Sequence, residues 1–496
     1  VGLIRNKRAL RATAAFAMAG AGIYALGGGA AAVAQSAASA ISQSDKAQGA
    51  KAHPDLLAEF GGALSGPQAS YVEAVGKTIA LQSGLSNARG DFTVTLLNSS
   101  VNNAFAVPGG YVYVTRQLAA LMNNEAELAG VLGHEVGHVA ARHSAKRQQA
   151  AQRNSILGAL GSVLSGALLG DSGFGQIGQR IFSQGSQLLT LRFSRTQELE
   201  ADKLGITYLR KAGYDPRAMA TVLESLARQN ALEAQLRGNS ASQVPAWAST
   251  HPDPASRVRD AQRTAGAAAS GITNRDKFLT GINGLIYDDD PRQGLVDGRK
   301  FTHPELRFTF EAPQGFYMVN GTSAVAITGQ SGKAQFGSGR YDGNLDRYVA
   351  SVFASLGGSG QSAPAAQTLE STTVNGIPAR YGVARAQTSS GQVDVAVFAY
   401  DFGGGKAYHF VTMSQAGGAG VFNAMFRSMR RINATEAGTL KPRKLSVVTV
   451  KAGDTVQSLA ARMAYRDAPA ERFLVLNGLQ SGAPLTPGQK VKLVTY

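Results

Sequence analysis

Two histidines and a glutamate stand in the order His134-Glu135-Val136-Gly137-His138. The run before them, Glu125 to Gly133, reads as the opening of a helix: Asn123-Asn124 supplies a cap, and Glu125 and Glu127 sit near the positive end of the helix dipole. Residues four apart on a helix lie one above the other, so His134 and His138 can reach one metal ion while Glu135 points beside it. Zinc held by three protein groups keeps a place for water and lowers its pKa from about 15.7 towards roughly 7, so that a neighbouring carboxylate can take its proton during attack on a carbonyl. The spacing therefore points to peptide-bond hydrolysis with one zinc ion per chain and Glu135 as the base.

A five-residue pattern of this kind also arises by chance on a charged helix face, and a third ligand decides between the two readings. Further along, Ser194-Arg195-Thr196-Gln197-Glu198-Leu199-Glu200-Ala201-Asp202 reads as a second helix, with Glu198 sixty residues beyond His138 and four before Asp202. One carboxylate can bind the metal while the other accepts the second ring N–H of a ligand histidine. Glu200 offers the same chemistry as Glu198 but lies on the opposite face, so only one of the two can join Asp202 at the metal.

These two stretches, followed by Thr250-His251-Pro252-Asp253-Pro254-Ala255-Ser256-Arg257, resemble the gluzincin peptidases that include the CaaX prenyl protease, the HtpX type and the periplasmic BepA type. The resemblance implies that Glu198 is the third zinc ligand beside His134 and His138, in agreement with the helical spacing. It also implies a His-Pro loop beside the active site, where His251 and Arg257 would stabilise an oxyanion or contact the metal, with Asp202 orienting a ligand histidine. A loop that merely opens the next helix is the competing reading of that segment. The implied substrates are polypeptides, in particular misfolded or unassembled envelope proteins. His143 does not make a three-histidine metzincin site, because Ala141 and Ser144 stand where that pattern needs Gly and His; it reads as a solvated side chain or one that touches a ligand rather than the metal.

The elements that must position these residues read as follows. Apolar spacing gives one helix from Pro54 and another through Tyr71, Val72, Val75 and Ile79, and the metal helix is expected to run to about Gln149. Residues 92–97, 104–107 and 111–114 alternate like strands, and Ala106, Val107, Gly109 and Gly110 form the candidate strand and turn against which an extended substrate would pair. Residues 156–170 are too short to span a bilayer, for which about 20 are needed, and read as a packed helix, with a helix lying in a membrane interface and a movable cover over the cleft as alternatives. The fold class expected is α+β and multidomain: a mainly helical zincin domain with a small sheet at 53–264, a linker at 265–275, an α+β accessory domain at 276–433 with no convincing site, and a linker at 434–446. Within the accessory domain 345–356 and 421–432 read as helices, and Asp288-Asp289-Asp290 as a solvated turn. Residues 447–496, with Gly453-Asp454-Thr455, Asn477-Gly478 and Pro487-Gly488-Gln489 between two strands and two helices, resemble a LysM domain, a βααβ module, which implies binding of peptidoglycan-type polymers.

Arg5, Lys7, Arg8 and Arg11 precede a small-residue apolar run ending in Ala32-Val33-Ala34, the form of a signal peptide (1–34) cleaved before Gln35, with a retained anchor as the alternative. Residues 35–52, rich in Ala, Ser and Gln, read as a flexible N-terminus. The chain of 496 residues has no cysteine, which excludes disulfides, thiolate-bound zinc and a lipid-modified cysteine. Four of its +16 charges lie in the leader, leaving +12 suited to anionic surfaces. Basic residues are scattered without interleaved aromatics, which argues against nucleic acid. The expected setting is the periplasm or cell envelope, with peptidoglycan or outer-membrane components as further partners and only peripheral membrane contact.

Overall fold

The structure, a computed structural model, describes residues 41–146, 193–236, 251, 253–356, 364, 366, 368–388 and 391–496. The expected leader and the 156–170 segment lie outside them. Among the described residues no helix is long and apolar enough to cross a membrane.

Helix α1 spans Gln43–Glu59, so most of the segment expected to be a flexible N-terminus is helical. Ser42 caps it by accepting from Asp45 N at 3.0 Å, and alanine-rich sequence favours helix once a tertiary surface receives it. That surface is the turn between two strands: a Cβ on Gly49 would stand 2.3 Å from the Pro108 carbonyl oxygen. Helix α2, Pro67–Ala80, opens with proline in its first turn and buries Val72, Val75, Ile79 and Ala80. Strands β1 (Thr93–Leu97), β2 (Ala104–Val107) and β3 (Tyr111–Thr115) follow. Their order is β1-β3-β2, with β3 parallel to β1 and antiparallel to β2, which leaves β2 at an edge.

Helix α3 (Arg116–Leu121) leads into α4 (Glu125–Ala140), which is buried from Glu125 through His138. The helix stops nine residues short of the expected Gln149 because Arg142 takes a left-handed backbone (φ 54°), after which a new helical turn starts at His143. Helix Arg195–Lys211 crosses α4, opened by a capping box in which Ser194 and Gln197 bond reciprocally. Helices Ala218–Leu236 and Pro254–Ala265 complete the layer.

The stretch expected to be a linker at 265–275 is pinned to this body. The Thr273 carbonyl accepts from the N–H groups of Glu125 and Ala126 at the start of α4, satisfying donors that a helix leaves open there. Helix Arg275–Ile282 then buries Phe278, Leu279 and Ile282 in the peptidase core, so the accessory domain begins later than its sequence suggests.

From residue 295 the interior becomes aromatic. A seven-stranded antiparallel sheet runs in the order Glu370–Val374, Ile377–Thr388, Gly391–Gly403, Lys406–Gln415, Gly332–Ser338, Val325–Gly329, Tyr317–Asn320. One face carries Phe336, Tyr400 and Phe410, against Phe310 from strand Phe308–Glu311 of a separate four-stranded sheet; helix Leu345–Ser355 lays Val349, Val352 and Phe353 on the other, against Val395, Val397 and Met413. The helix expected over 421–432 is cut to Asn423–Ser428, because Arg430–Arg431 pair with strand Phe308–Glu311. The aspartates expected in a solvated turn are mostly buried: Asp290 accepts from Asn98 and Arg292, and Asp289 from Val296 N.

The C-terminal strands Arg443–Thr449 and Lys490–Thr495 pair antiparallel around helices Val456–Ala460 and Pro469–Leu476. Ile286–Tyr287 adds a third strand by pairing with Lys444 and Arg443. Leu445, Phe473, Leu476, Val491 and Leu493 belong to the same apolar cluster as the peptidase helices. Lys492 is fully buried and donates to the carbonyls of Ala120, Leu121 and Met122 at 2.8, 3.2 and 2.6 Å, closing the C-terminal end of α3, where carbonyls lack partners.

Candidate metal centre

The centre forms where α4 and the Arg195–Lys211 helix cross at close range. A Cβ on Gly205 would lie 3.1 Å from His134 N, and one on Gly137 3.1 Å from the Ala201 carbonyl oxygen. Larger residues at these crossings would push the helices apart and carry Glu198 away from the histidines. The start of α4 is fixed by charge as well as by Thr273. Glu125 is buried, which opposes ionisation, yet hydrogen bonds from Tyr71, Asn274, Lys277 and Tyr214 hold its carboxyl below the usual range.

His134 Nε2 and His138 Nε2 stand 3.0 Å apart. Glu198 reaches between them, Oε2 at 3.6 Å from the first and Oε1 at 3.4 Å from the second. His251 joins the group, with Nδ1 3.1 and 3.2 Å from the two Glu198 oxygens and 3.3 Å from His134 Nε2. The ligand atoms of His134, His138, Glu198 and His251 all lie within 4.8 Å of one another, and all four residues are buried. Glu135 lies alongside, its Oε1 3.5 Å from His251 Nε2 and without a hydrogen-bond partner among the described residues. Burial pushes its carboxyl up. Glu198 is also buried, but the charge of His251 and hydrogen bonds from His138 and His251 hold it well below the usual carboxylate range.

The outer sides of the rings account for their orientation. Asp202 Oδ1 lies 2.8 Å from His134 Nδ1. Arg257 donates to both Asp202 oxygens, through Nε at 2.8 Å and Nη2 at 2.6 Å, and through Nη1 to Glu198. Desolvation is overcome by this guanidinium, which holds Asp202 at about 2. Arg257 is thus engaged by two carboxylates, which sets it as an anchor for them rather than as a donor directed at a substrate oxygen. His143, expected to be solvated or to touch a ligand, is buried with Nδ1 2.8 Å from His138 Nδ1. Glu200 turns away from the centre and meets His143 Nε2 at 3.2 Å. This His143–Glu200 contact was not legible in the sequence, since it depends on the break at Arg142.

The expected substrate strand lies next to these groups. Ala106, Pro108 and Gly109 line a cavity of about 150 Å³ together with Ile41, Leu85, His138 and Val139. Val107 is half-buried beside Ala106 on the edge strand. Gly109 and Gly110 both have positive φ, 94° and 85°, and α1 lies on the first, where a Cβ would meet the Asp45 carbonyl oxygen at 2.6 Å.

The donors present fit a metal ion. With Nδ1–H of His134 given to Asp202 and Nδ1 of His138 engaged by His143, both Nε2 lone pairs face one another across 3.0 Å beside an ionised carboxylate. Such an array calls for a cation, and imidazole with carboxylate suits zinc. A buried His-Glu-x-x-His helix with a carboxylate from a neighbouring helix defines a metallopeptidase centre of the gluzincin kind. Residues 67–265 match the model of peptidase family M48, and residues 448–494 match the LysM domain model.

The β-barrel assembly-enhancing protease of Escherichia coli K12 is 34% identical over 198 residues, which are 39% of this chain and 38% of that protein. The mitochondrial metalloendopeptidase OMA1 of Schizosaccharomyces pombe is 33% identical over 218 residues, 43% of this chain and 59% of that protein. The chain thus spans less than two thirds of either relative.

Proposed function

We propose that the chain is a zinc-dependent metalloendopeptidase of the cell envelope that cleaves misfolded or unassembled envelope proteins. The observation that carries this reading is the convergence of His134, His138 and Glu198 beside a Glu135 carboxylate oxygen without a hydrogen-bond partner among the described residues. His134, His138 and Glu198 would hold the ion, which when bound supplies a Lewis acid that makes water acidic and polarises the scissile carbonyl. Glu135 takes the proton of the attacking water and later gives it to the leaving amine. Its buried setting raises its affinity for that proton between the two steps. Asp202, held by Arg257, keeps the His134 ring turned with Nε2 inward. The edge of β2 at Ala106 and Val107 offers backbone groups to an extended peptide, and the β-barrel assembly-enhancing protease supports an envelope setting by its name.

A second reading has one observation in its favour. His251 brings a fourth donor to the group, and a site closed by four protein donors is structural rather than catalytic. The chain would then be an assembly factor using the zinc fold as a scaffold. Zinc content and casein cleavage, measured on the wild type and on Glu135→Gln, separate the two. The peptidase reading expects one zinc per chain in both and a loss of cleavage of about 10²–10⁴-fold or more in the variant. Equal cleavage by both would remove Glu135 from the chemistry, and a zinc-loaded wild type without cleavage would favour the scaffold.

A further inference from the structure

We propose that His143 and Glu200 form a positioning relay that fixes His138 in the tautomer able to bind the metal through Nε2; the proposal rests on the metal-site reading above. On an unbroken helix, residue 143 would stand about 140° around from residue 138 and could not meet it. The chain instead breaks at Ala141–Arg142, with Arg142 in a left-handed conformation (φ 54°) that a residue with a Cβ rarely adopts. The break folds His143 back until its Nδ1 lies 2.8 Å from His138 Nδ1, with the whole ring inaccessible to solvent. Local strain beside a site is retained where the surroundings enforce it, and here the contacts of His143 with His138 and Glu200 do so.

Proton accounting leaves one arrangement. An ionised carboxylate only accepts, so the Glu200 oxygen 3.2 Å from His143 Nε2 places the His143 proton on that nitrogen. Nδ1 of a neutral His143 is then a lone pair, which accepts the Nδ1–H of His138. His138 is left with its lone pair on Nε2, the atom that faces His134 and Glu198. Reversing the His143 ring proton would put hydrogen on His138 Nε2 and close that position to a cation. The two ligand imidazoles are therefore set by different means: His134 directly by buried Asp202, and His138 through a second histidine by a carboxylate whose side chain is 48% exposed.

The test uses the full chain, stripped of metal, with zinc affinity measured by competition against a chromophoric chelator and folding checked by the melting of the metal-free protein. Removing an outer partner of a metal-bound histidine costs about 10–100-fold in affinity, and that loss is expected for His143→Leu. His143→Asn, whose Oδ1 offers an acceptor near the place of Nδ1, is expected to stay within about threefold of wild type. Glu200→Leu should weaken binding by about three- to tenfold alone and add nothing to His143→Leu, because it acts through that ring.

The relay is overturned by a folded His143→Leu protein with wild-type affinity, by His143→Asn behaving like His143→Leu, or by a Glu200→Leu loss that adds to it. If His143→Leu does not fold, the partly exposed Glu200 decides: unchanged affinity in Glu200→Leu overturns the relay. A wild type that takes up no zinc removes the metal-site reading and the relay with it, whereas zinc uptake indifferent to these substitutions removes the relay alone.

Discussion

The interior around the metal helix and the interior of the 295–432 sheet domain are built from opposite materials. Beneath the first lie Glu125, Glu127, Glu198, Asp202, Arg257 and Lys492, all buried. Beneath the second lie rings in contact, such as Phe310, Phe336 and Phe410, with centroids 4.9 Å apart in each pair. A buried charge is tolerated only with its partners in place, so the first interior depends on pairing and the second on volume. The peptidase body is therefore sensitive to changes of a single charged atom that leave shape intact, and the sheet domain to changes of shape that leave charge intact.

Lys492→Met keeps the stem but removes three donors from the end of α3 and the positive charge that offsets burial of Glu127. A loss of about 3–5 kcal/mol in urea unfolding is expected, with partial recovery when Glu127→Gln removes the opposing charge. A loss under about 1 kcal/mol would show that pairing does not govern this interior. Phe410→Ala should cost about 3–5 kcal/mol through the cavity it leaves, yet keep zinc affinity at the wild-type value, since the ring belongs to the other core. Coupled loss of zinc would erase the distinction between the two interiors.

A smaller effect comes from pH. Burial lowers His409 to about 4, so the unfolded state, with the ordinary value near 6.5, binds more protons between these limits. Its contribution is therefore complete above about pH 6.5 and is lost as pH falls towards 4. Between pH 7 and 5 the sheet domain should lose roughly 2 kcal/mol through this residue, and His409→Gln should flatten that dependence. A steeper dependence in the variant would reverse the sign. Least of all should follow from Asp342→Asn, which breaks an exposed pair with Arg347 and should leave the urea midpoint at the wild-type value.

The chemistry was legible where it imposes spacing. His134, Glu135 and His138 on one helix, and Glu198 ahead of Asp202 on another, follow from helical geometry, and strands β1, β2 and β3 follow from alternation. What sequence did not reveal depends on contacts distant along the chain. Alanine-rich residues 43–52 suit a tail or a helix equally until the Pro108 turn receives Gly49. Arg142 carries no local signal for a left-handed backbone, so the end of α4 and the return of His143 stayed hidden. The Gly/Ala-rich run near 270 looks like a linker because nothing local reveals that the Thr273 carbonyl meets the start of α4.

Lys492 lies in the final strand, far behind every candidate ligand in the order of synthesis. A polypeptide made N-terminus first presents its histidines long before the strand that secures the floor beneath them. The parts of the metal centre thus exist in the growing chain before the lysine that closes the end of α3 beneath them.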